Sequence, residues 1–450
     1  MIQMRVSDLP NILNANKIKS DQIFKGVSIN SRNTVSDNLF IAIKGKRYDG
    51  HDYVKEAMDK GAIAAVVERF NPKLSAIQVV VADTMKALGT LANNWRTKFQ
   101  VPVIAITGSV GKTTVKEMIG SILNQLGSCL TSHGNMNNEI GLPLTLFGIE
   151  KETKFVVVEM GAAKNGDIDY LAKIAKPSIG IITCCAPAHL ENFESLENIA
   201  ITKGALVSNL PPNGTAILNR EDKFFDYWKK INSSSSLISF GKGGDCYSSK
   251  ESVQANSSLF QLNFKSFSGK LEIEQVGQHN IKNALAAAAA SFVLKTDIST
   301  VAKGLLNTPK ISGRLFWVRG KKLNILDDSY NANPRALNAA IDTLCYEKRE
   351  KWIVLGDMLE LGSAAQELHD ESVMKMNKVG INRLFSLGSF SVKASQHFKK
   401  SSENFTEVDN LILRLKELIL SSEEKVSILI KGSRALKLDR VVEALKEANV

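Results

Sequence analysis

Cysteine is scarce and unpatterned. Cys129, Cys184, Cys185, Cys246 and Cys345 are the only five in 450 residues. Their number is odd and no C-x-x-C spacing occurs, which argues against a disulfide framework or a zinc site and for a reducing compartment. Long hydrophobic runs are also missing. The longest small-apolar stretch, Ala284–Leu294 (ALAAAAASFVL), is too short to span a bilayer and reads as a buried helix. The start, MIQMRVSDLPNILNANKIKSD, holds no apolar core of the signal-peptide type, so a cytoplasmic protein is expected. Basic residues give a net charge of +11, but no basic stripe exists. The nearest cluster, Glu347–Lys351 (EKREK), includes acids. This charge fits solvated surface and sites for anionic small molecules better than a nucleic-acid face. No internal repeat and no extended linker is visible.

The chain is long enough for several domains, and three sections emerge. Residues 1–96 hold short strand-like runs, LFIAI, AIAAVVE and IQVVVA, around a helical DYVKEAMDKG. Residues 97–311 alternate continuous apolar strands (VPVIAIT, FVVVEMG, SIGIIT, TAILN) with helices. That pattern predicts a parallel sheet covered on both faces. The Ser-rich stretch at 232–258 is expected to form hairpins or loops at its far edge. Residues 312–450 restart the alternation with LNILDD, WIVLGD, RLFSLG and VSILIKG, helices being expected near 334–344, 364–378 and 434–448. The predicted fold class is α/β in three domains. A small N-terminal domain is followed by a central P-loop parallel-sheet domain and a C-terminal Rossmann-like, doubly wound domain.

The most informative stretch is ITGSVGKTT at 106–114. It follows a strand and opens a helix in which Val115, Met118, Ile119, Ile122, Leu123 and Leu126 recur at helical spacing. The loop Thr107, Gly108, Ser109, Val110, Gly111, Lys112, Thr113 and Thr114 can turn backbone N–H groups toward phosphate oxygens at a helix N-terminus. Lys112 offers a mobile cation and Thr113 a hydroxyl for Mg²⁺. The common form of this motif needs a glycine where Ile106 stands. Glu159, at the end of FVVVE, is a second magnesium candidate, because ligands bind at the C-terminal ends of parallel strands. His189 in CAPAHLENF is another, although Mg²⁺ prefers oxygen.

Taken together, ITGSVGKTT, GNMNNEIGLPLTL, VVVEMGA, PAHLENFESLENIAITKG, GQHNIKNALAA, DDSYNANP, LGDMLELG and KGSRALKLDRVVEAL resemble the ATP-dependent Mur ligases over nearly the whole chain. NNEIGLP, DDSYNANP and LGDMLELG are similar to the branch that adds D-alanyl-D-alanine to UDP-N-acetylmuramoyl-tripeptide, a step of peptidoglycan synthesis. The resemblance implies ATP and Mg²⁺ as cofactors and an acyl-phosphate route. Residues 1–96 are then the UDP-sugar domain, 97–311 the ATP domain and 312–450 the domain for the D-Ala-D-Ala component. It implies Lys112 on the phosphates, with Thr113, Glu159, His189 and a carbamylated Lys203 at magnesium. Here Lys203-Gly204-Ala205 departs from the family's usual Lys-Gly-Glu. It further implies Asn280 and Asn283 at adenine, Arg314 at the phosphates, Asp328 near the ribose and Asn331 on the γ-phosphate side. Ser31, Arg32, Asn135, Asn137, Asn138 and Glu139 would face the UDP-muramoyl-peptide. The family's Asp-Ser-Arg motif begins here with Asn30. Lys431, Ser433 and Arg434 are expected to open a helix and bind a substrate carboxylate. A monomer without nucleic-acid or integral-membrane partners is expected. Another Mur or folylpolyglutamate-type ligase, and a P-loop ATPase acting on nucleic acid, remain alternatives.

Overall fold

The computed structural model describes residues 1–187, 190–232 and 235–447. The first section carries a four-stranded parallel sheet in the order Val27–Ser28, Leu39–Ile41, Ala64–Val67, Gln78–Val80, and a short antiparallel pair of Gln3–Arg5 with Ile23–Lys25. The middle section is a nine-stranded sheet. Its parallel part runs Ser236–Phe240, Thr215–Asn219, Ile179–Ile182, Val103–Thr107, Phe155–Glu159, Cys129–Thr131. The third is a six-stranded sheet in the order Phe316–Val318, Leu323–Asp328, Val426–Lys431, Glu350–Gly356, Arg383–Leu387, Ser401–Phe405, parallel except for its first strand.

Side-chain alternation explains the middle layer. In Val103–Thr107, Val103 and Ala105 enter one core, while Ile104 and Ile106 enter the core on the opposite face. A strand buried on both sides must be apolar throughout, and this one is. The alanine run lies within the helix Gln278–Val293. Ala284 and Ala286 to Ala290 are fully buried there, and their small side chains let the helix lie close to the sheet and to the helix Lys112–Leu123. Among the described residues no helix is long and apolar enough to cross a membrane.

One expectation holds and one needs correction. The Ser-rich stretch does form a hairpin at the edge of the sheet, preceded by a strand. Ser236–Phe240 is a parallel strand, Cys246–Val253 joins it in parallel, and Ser258–Phe264 and Phe267–Ile273 then extend the sheet antiparallel. Along Ser258–Phe264, Ser258, Phe260, Leu262 and Phe264 are buried while the residues between are more exposed, so a half-buried face is written in polar-rich sequence. The last helix does not begin at 434. A 3-10 turn, Arg434–Leu436, ends in Lys437 with φ +52°, and the helix is Asp439–Glu447.

The three sheets are joined unequally. The first section shares one continuous core with a face of the middle sheet, from Ile2 and Leu39 through Leu88 and Leu91 to Val156 and Leu206. The helix Thr84–Thr97 forms the seam. Arg96 is nearly buried and donates to the carbonyls of Ala175 (3.0 Å), Phe99 (2.8 Å) and Val101 (3.2 Å), and Trp95 Nε1 donates to Ile149 O at 3.1 Å. Among the described residues no core cluster joins the third sheet to the middle one. Polar contacts do: Arg319 Nη2 to Ala255 O (2.6 Å), Arg335 Nη1 to Cys185 O (3.4 Å) and Glu191 N to Glu360 O (3.4 Å). Removing the guanidinium leaves several buried carbonyls unpaired, at about 1–3 kcal/mol for each group that water cannot reach. Arg96→Met is therefore expected to lower the first urea-unfolding transition by the equivalent of about 3 kcal/mol. An unchanged midpoint contradicts the assignment of the seam to this residue.

Candidate active site

The phosphate-type loop begins where the central strand stops. Ile106 is still inside that strand and fully buried. The loop itself therefore starts at Thr107–Gly108, and a glycine at 106 has nothing to do. Gly108 and Gly111 do. A Cβ on Gly108 (φ +149°) would lie 1.9 Å from Thr183 Oγ1, and one on Gly111 (φ +88°) 2.5 Å from Asn283 Oδ1. The helix Lys112–Leu123 follows at once, so its free N–H groups point at the loop. Lys112 Nζ folds back onto Gly108 O at 2.8 Å, and burial pulls its amine below the usual lysine range. Thr107 Oγ1 donates to Met160 O and Ser109 Oγ to Ala186 O, both at 2.9 Å, which pins the loop to neighbouring strand ends. Val110 and Thr114 line the cleft with Ser109.

Below Lys112 two hard-oxygen groups meet. Thr113 Oγ1 donates to Glu159 Oε2 at 2.8 Å, and Asn137 Nδ2 donates to Glu159 Oε1 at 2.7 Å. Glu159 is almost fully buried at its strand end, where its N–H donates to Ser132 Oγ at 3.1 Å. Among the described residues no group of three or more His, Cys, Asp or Glu could hold a metal ion. A magnesium ion does not require one. One or two carboxylates, a hydroxyl, phosphate oxygens and water are its usual shell, and Thr113 with Glu159 fit that set. His189 lies outside the described residues. Lys203 sits inside the helix Leu196–Ser208, which Ser195 caps by accepting from Asn198 N at 3.1 Å. Lys203 is 5% exposed, and among the described residues it has no hydrogen-bond or ion-pair partner. Burial, and then the charge of Lys112, push its amine down to about 8.

These groups form one wall of a cleft of about 780 Å³ between the middle and third sheets. Asn280 and Asn283 stand one above the other on the helix Gln278–Val293, Asn283 Nδ2 donating to Asn280 Oδ1 at 3.1 Å. His279 beside them is pushed down to about 4 by burial, so it is neutral at physiological pH. The opposite wall comes from the third sheet. Lys431 is buried at a strand end and pairs with Asp328 Oδ2 at 2.5 Å and Asn331 O at 2.9 Å. Asp328 Oδ1 accepts from Leu315 N at 3.1 Å, and burial raises its carboxyl despite the lysine. Arg314 lies over the Tyr330 ring, 4.1 Å from its centre.

The cleft collects most of the residues expected from sequence: Gly108 to Lys112, Thr114, Asn135, Asn137, Asn138, Glu139, Glu159, Lys203, Asn280, Asn283, Arg314, Asp328, Asn331 and Lys431. Thr107 and Thr113 lie beneath it as supports. Four expected residues do not line it, although one of them, Arg434, approaches the ring of Tyr330 on its wall. Ser31 Oγ donates to Glu56 Oε2 at 3.0 Å in the first section, and Arg32 is exposed beside it. Asn30 Oδ1 caps that turn by accepting from Arg32 N at 3.0 Å, a job an aspartate could also do. Ser433 Oγ accepts from Leu359 N at 2.8 Å, and Arg434 Nη1 pairs with Asp439 Oδ2 at 3.0 Å. The helix expected to open at 431–434 is thus corrected. Lys431 is held by Asp328, and no α-helix begins there. Sequence reasoning missed Tyr330, Gln275, Trp317 and Arg319 on the cleft wall. Tyr330 was legible as the aromatic inside DDSYNANP, whereas the others carry no motif.

Comparison with known proteins fits this geometry. Residues 23–96 match the description "Mur ligase family, catalytic domain", residues 106–291 "Mur ligase middle domain" and residues 313–434 "Mur ligase, glutamate ligase domain". A UDP-N-acetylmuramoyl-tripeptide–D-alanyl-D-alanine ligase of Haemophilus influenzae is 37% identical, with 99% of each chain covered. The crystal structure of MurF from Acinetobacter baumannii superposes with a TM-score of 0.94 at 31% identity, covering 99% of both chains. MurF of Thermotoga maritima, solved in complex with ADP, gives 0.86 at 28% identity over 94% of this chain and 97% of that one. The chain belongs to the Mur ligase family.

Proposed function

We propose that this protein is the ATP-dependent ligase that joins D-alanyl-D-alanine to UDP-N-acetylmuramoyl-tripeptide, working as a monomer in the cytoplasm. The observation that carries the reading is the cleft. It holds a glycine loop at a helix N-terminus, a Thr113–Glu159 oxygen pair, two cations, Lys112 and Arg314, and the buried amine of Lys203 between two sheets, and includes no Ser-His-Asp or Cys-His nucleophile among the described residues. Full-length likeness to the Haemophilus influenzae ligase supports the same substrates.

The chemistry follows from the substrates. A carboxylate resists amine attack because oxide is a poor leaving group. Its oxygen therefore attacks the γ-phosphorus of ATP, the bond from that phosphorus to the β-bridging oxygen breaks, and ADP leaves. The amine of D-Ala-D-Ala then adds to the acyl carbon of the acyl phosphate. A tetrahedral intermediate collapses, phosphate departs and the nitrogen loses a proton. Two anions must approach, so the protein's task is positioning and charge compensation. In this reading Lys112 leaves Gly108 O for the β- and γ-phosphates, and Arg314 approaches them from the third domain, with Asn331 on the γ side. Thr113 and Glu159 would hold Mg²⁺, which when bound screens the phosphate charge, with His189 and Lys203 at a second ion. Asn280 and Asn283 face adenine and Asp328 the ribose. Residues 1–96 present the UDP-sugar through Ser31 and Arg32, and Asn135, Asn137, Asn138 and Glu139 lead the peptide toward the loop. Residues 97–311 bind ATP. Residues 312–450 bring the dipeptide, with Arg434 as the carboxylate partner. The sparse polar contacts of the third sheet allow it to close on bound substrates.

ADP release is expected to require both UDP-MurNAc-tripeptide and D-Ala-D-Ala. Comparing lysine- and diaminopimelate-containing tripeptides identifies the third stem residue. No stimulation by either pair defeats the reading. Lys112→Ala is expected to lower ADP formation by at least about a thousandfold, the scale of losing a main phosphate cation in such sites.

Lys203 generates a separate prediction. With its pKa near 8, about a tenth of the amine is neutral at pH 7, and only the neutral amine takes up carbon dioxide. Its lysine pKa is lowered, so the reactive fraction grows as pH rises through about 8 and levels about one to two pH units above that. Activity is expected to fall in carbon-dioxide-depleted buffer, to recover at equal dissolved carbon dioxide faster at pH 8 than at pH 6.5, and to be lost without recovery in Lys203→Met. Full activity of carbonate-free enzyme contradicts carbamylation.

A further inference from the structure

Arg314 and Arg434 meet at one aromatic ring. The Arg314 guanidinium carbon lies 4.1 Å from the centre of Tyr330, and that of Arg434 lies 5.8 Å from the same centre. Both distances fall within the range in which a ring quadrupole attracts a cation. We propose that Tyr330 is a positioning residue that orients both arginines, and that through the shared ring it couples the triphosphate site to the site for the incoming dipeptide. The inference rests on the roles given to Arg314 and Arg434 under Proposed function.

The surroundings explain why a ring is used. Arg314 has no ion pair and no side-chain hydrogen bond among the described residues, although the carboxylate of Asp328 is near enough to influence it electrostatically. Both oxygens of Asp328 are already engaged, by Lys431 and by Leu315 N. A carboxylate partner would occupy the guanidinium N–H groups and cancel the charge that phosphate needs. Contact through the face of a ring fixes the plane while leaving the N–H donors free. Tyr330 is itself fixed at the start of the third section. Its N–H donates to Gly313 O at 3.0 Å, next to Arg314, and a Cβ on Gly313 would come within 3.1 Å of Tyr330 Cβ. Arg314 and the loop residues Gly108 to Lys112 line the same cleft. Arg434 arrives from the other flank, on the turn after the strand Val426–Lys431, with Asp439 holding one of its nitrogens.

Sharing has a consequence. Two cations at one ring repel each other, and a triphosphate bound to Arg314 relieves that repulsion. Arg434 can then settle closer to the ring, in the orientation a dipeptide carboxylate meets. Nucleotide should therefore tighten dipeptide binding.

Tyr330→Phe keeps the ring and Tyr330→Leu removes it. Calorimetry with β,γ-methylene-ATP alone is expected to show roughly threefold to thirtyfold weaker binding in Tyr330→Leu and less than a twofold change in Tyr330→Phe. Steady-state kinetics should show KM raised for both ATP and D-Ala-D-Ala in Tyr330→Leu. Arg314→Lys keeps the charge without the flat face. It is expected to weaken the nucleotide by itself and to add no further loss to Tyr330→Leu, which holds the test open if the leucine variant is destabilised. Wild-type affinity in Tyr330→Leu, equal losses in both tyrosine variants, or a KM rise confined to one substrate each overturns the proposal. Because calorimetry needs no turnover, failure of the ligase reading and failure of this inference are separate results.

Discussion

The phosphate end of the cleft depends on two cations, Lys112 and Arg314, that have no ion-pair partner among the described residues. Lys112 rests on a carbonyl, Lys203 has no partner among the described residues, and Arg314 lies on a ring. They repel one another: Lys112 helps depress Lys203, and Arg314 helps depress Lys112. Such a cluster is unfavourable in the empty protein and becomes favourable when a polyanion enters. A site built to bring a carboxylate against a triphosphate needs that imbalance, since two anions do not approach unaided. The one acid in the loop's immediate shell, Glu159, is bound on both oxygens by Thr113 and Asn137 and forms no ion pair with Lys112, although its charge partly offsets the effect of burial there.

The architecture distributes rigidity to suit this task. The first section shares a hydrophobic core with the middle sheet and is clamped by Arg96 and Trp95. The third sheet keeps its own two cores and meets the middle one through polar contacts. Packed cores resist small displacements, whereas a few hydrogen bonds at a cleft exchange readily with water. The part that carries Arg314, Tyr330 and Arg434 is thus the part free to move.

The parallel sheets and the loop were legible because they are written locally. Apolar runs of five or six residues, a glycine pair, and GKTT before a helical period leave few alternatives. Ile106 puzzled the motif but not the fold, since a buried strand position wants a β-branched residue. What stayed hidden was non-local. Ser236–Phe240 looks like part of a hairpin or loop because the stretch around it is polar, and only the pairing with Thr215–Asn219 makes it a parallel strand. Lys431 looked like an anion ligand, and its partner Asp328 lies 103 residues away. The role of Tyr330 depends on arginines from two different turns, which no spacing rule connects.

Transfer of a labelled oxygen tests the central claim most directly. UDP-MurNAc-tripeptide carrying oxygen-18 in its terminal carboxylate is turned over with ATP and D-Ala-D-Ala, and the released phosphate is weighed by mass spectrometry. The account predicts one labelled oxygen in each phosphate, because the carboxylate oxygen that attacks phosphorus leaves with it. Unlabelled phosphate, with the second carboxylate label released to water instead, would contradict it.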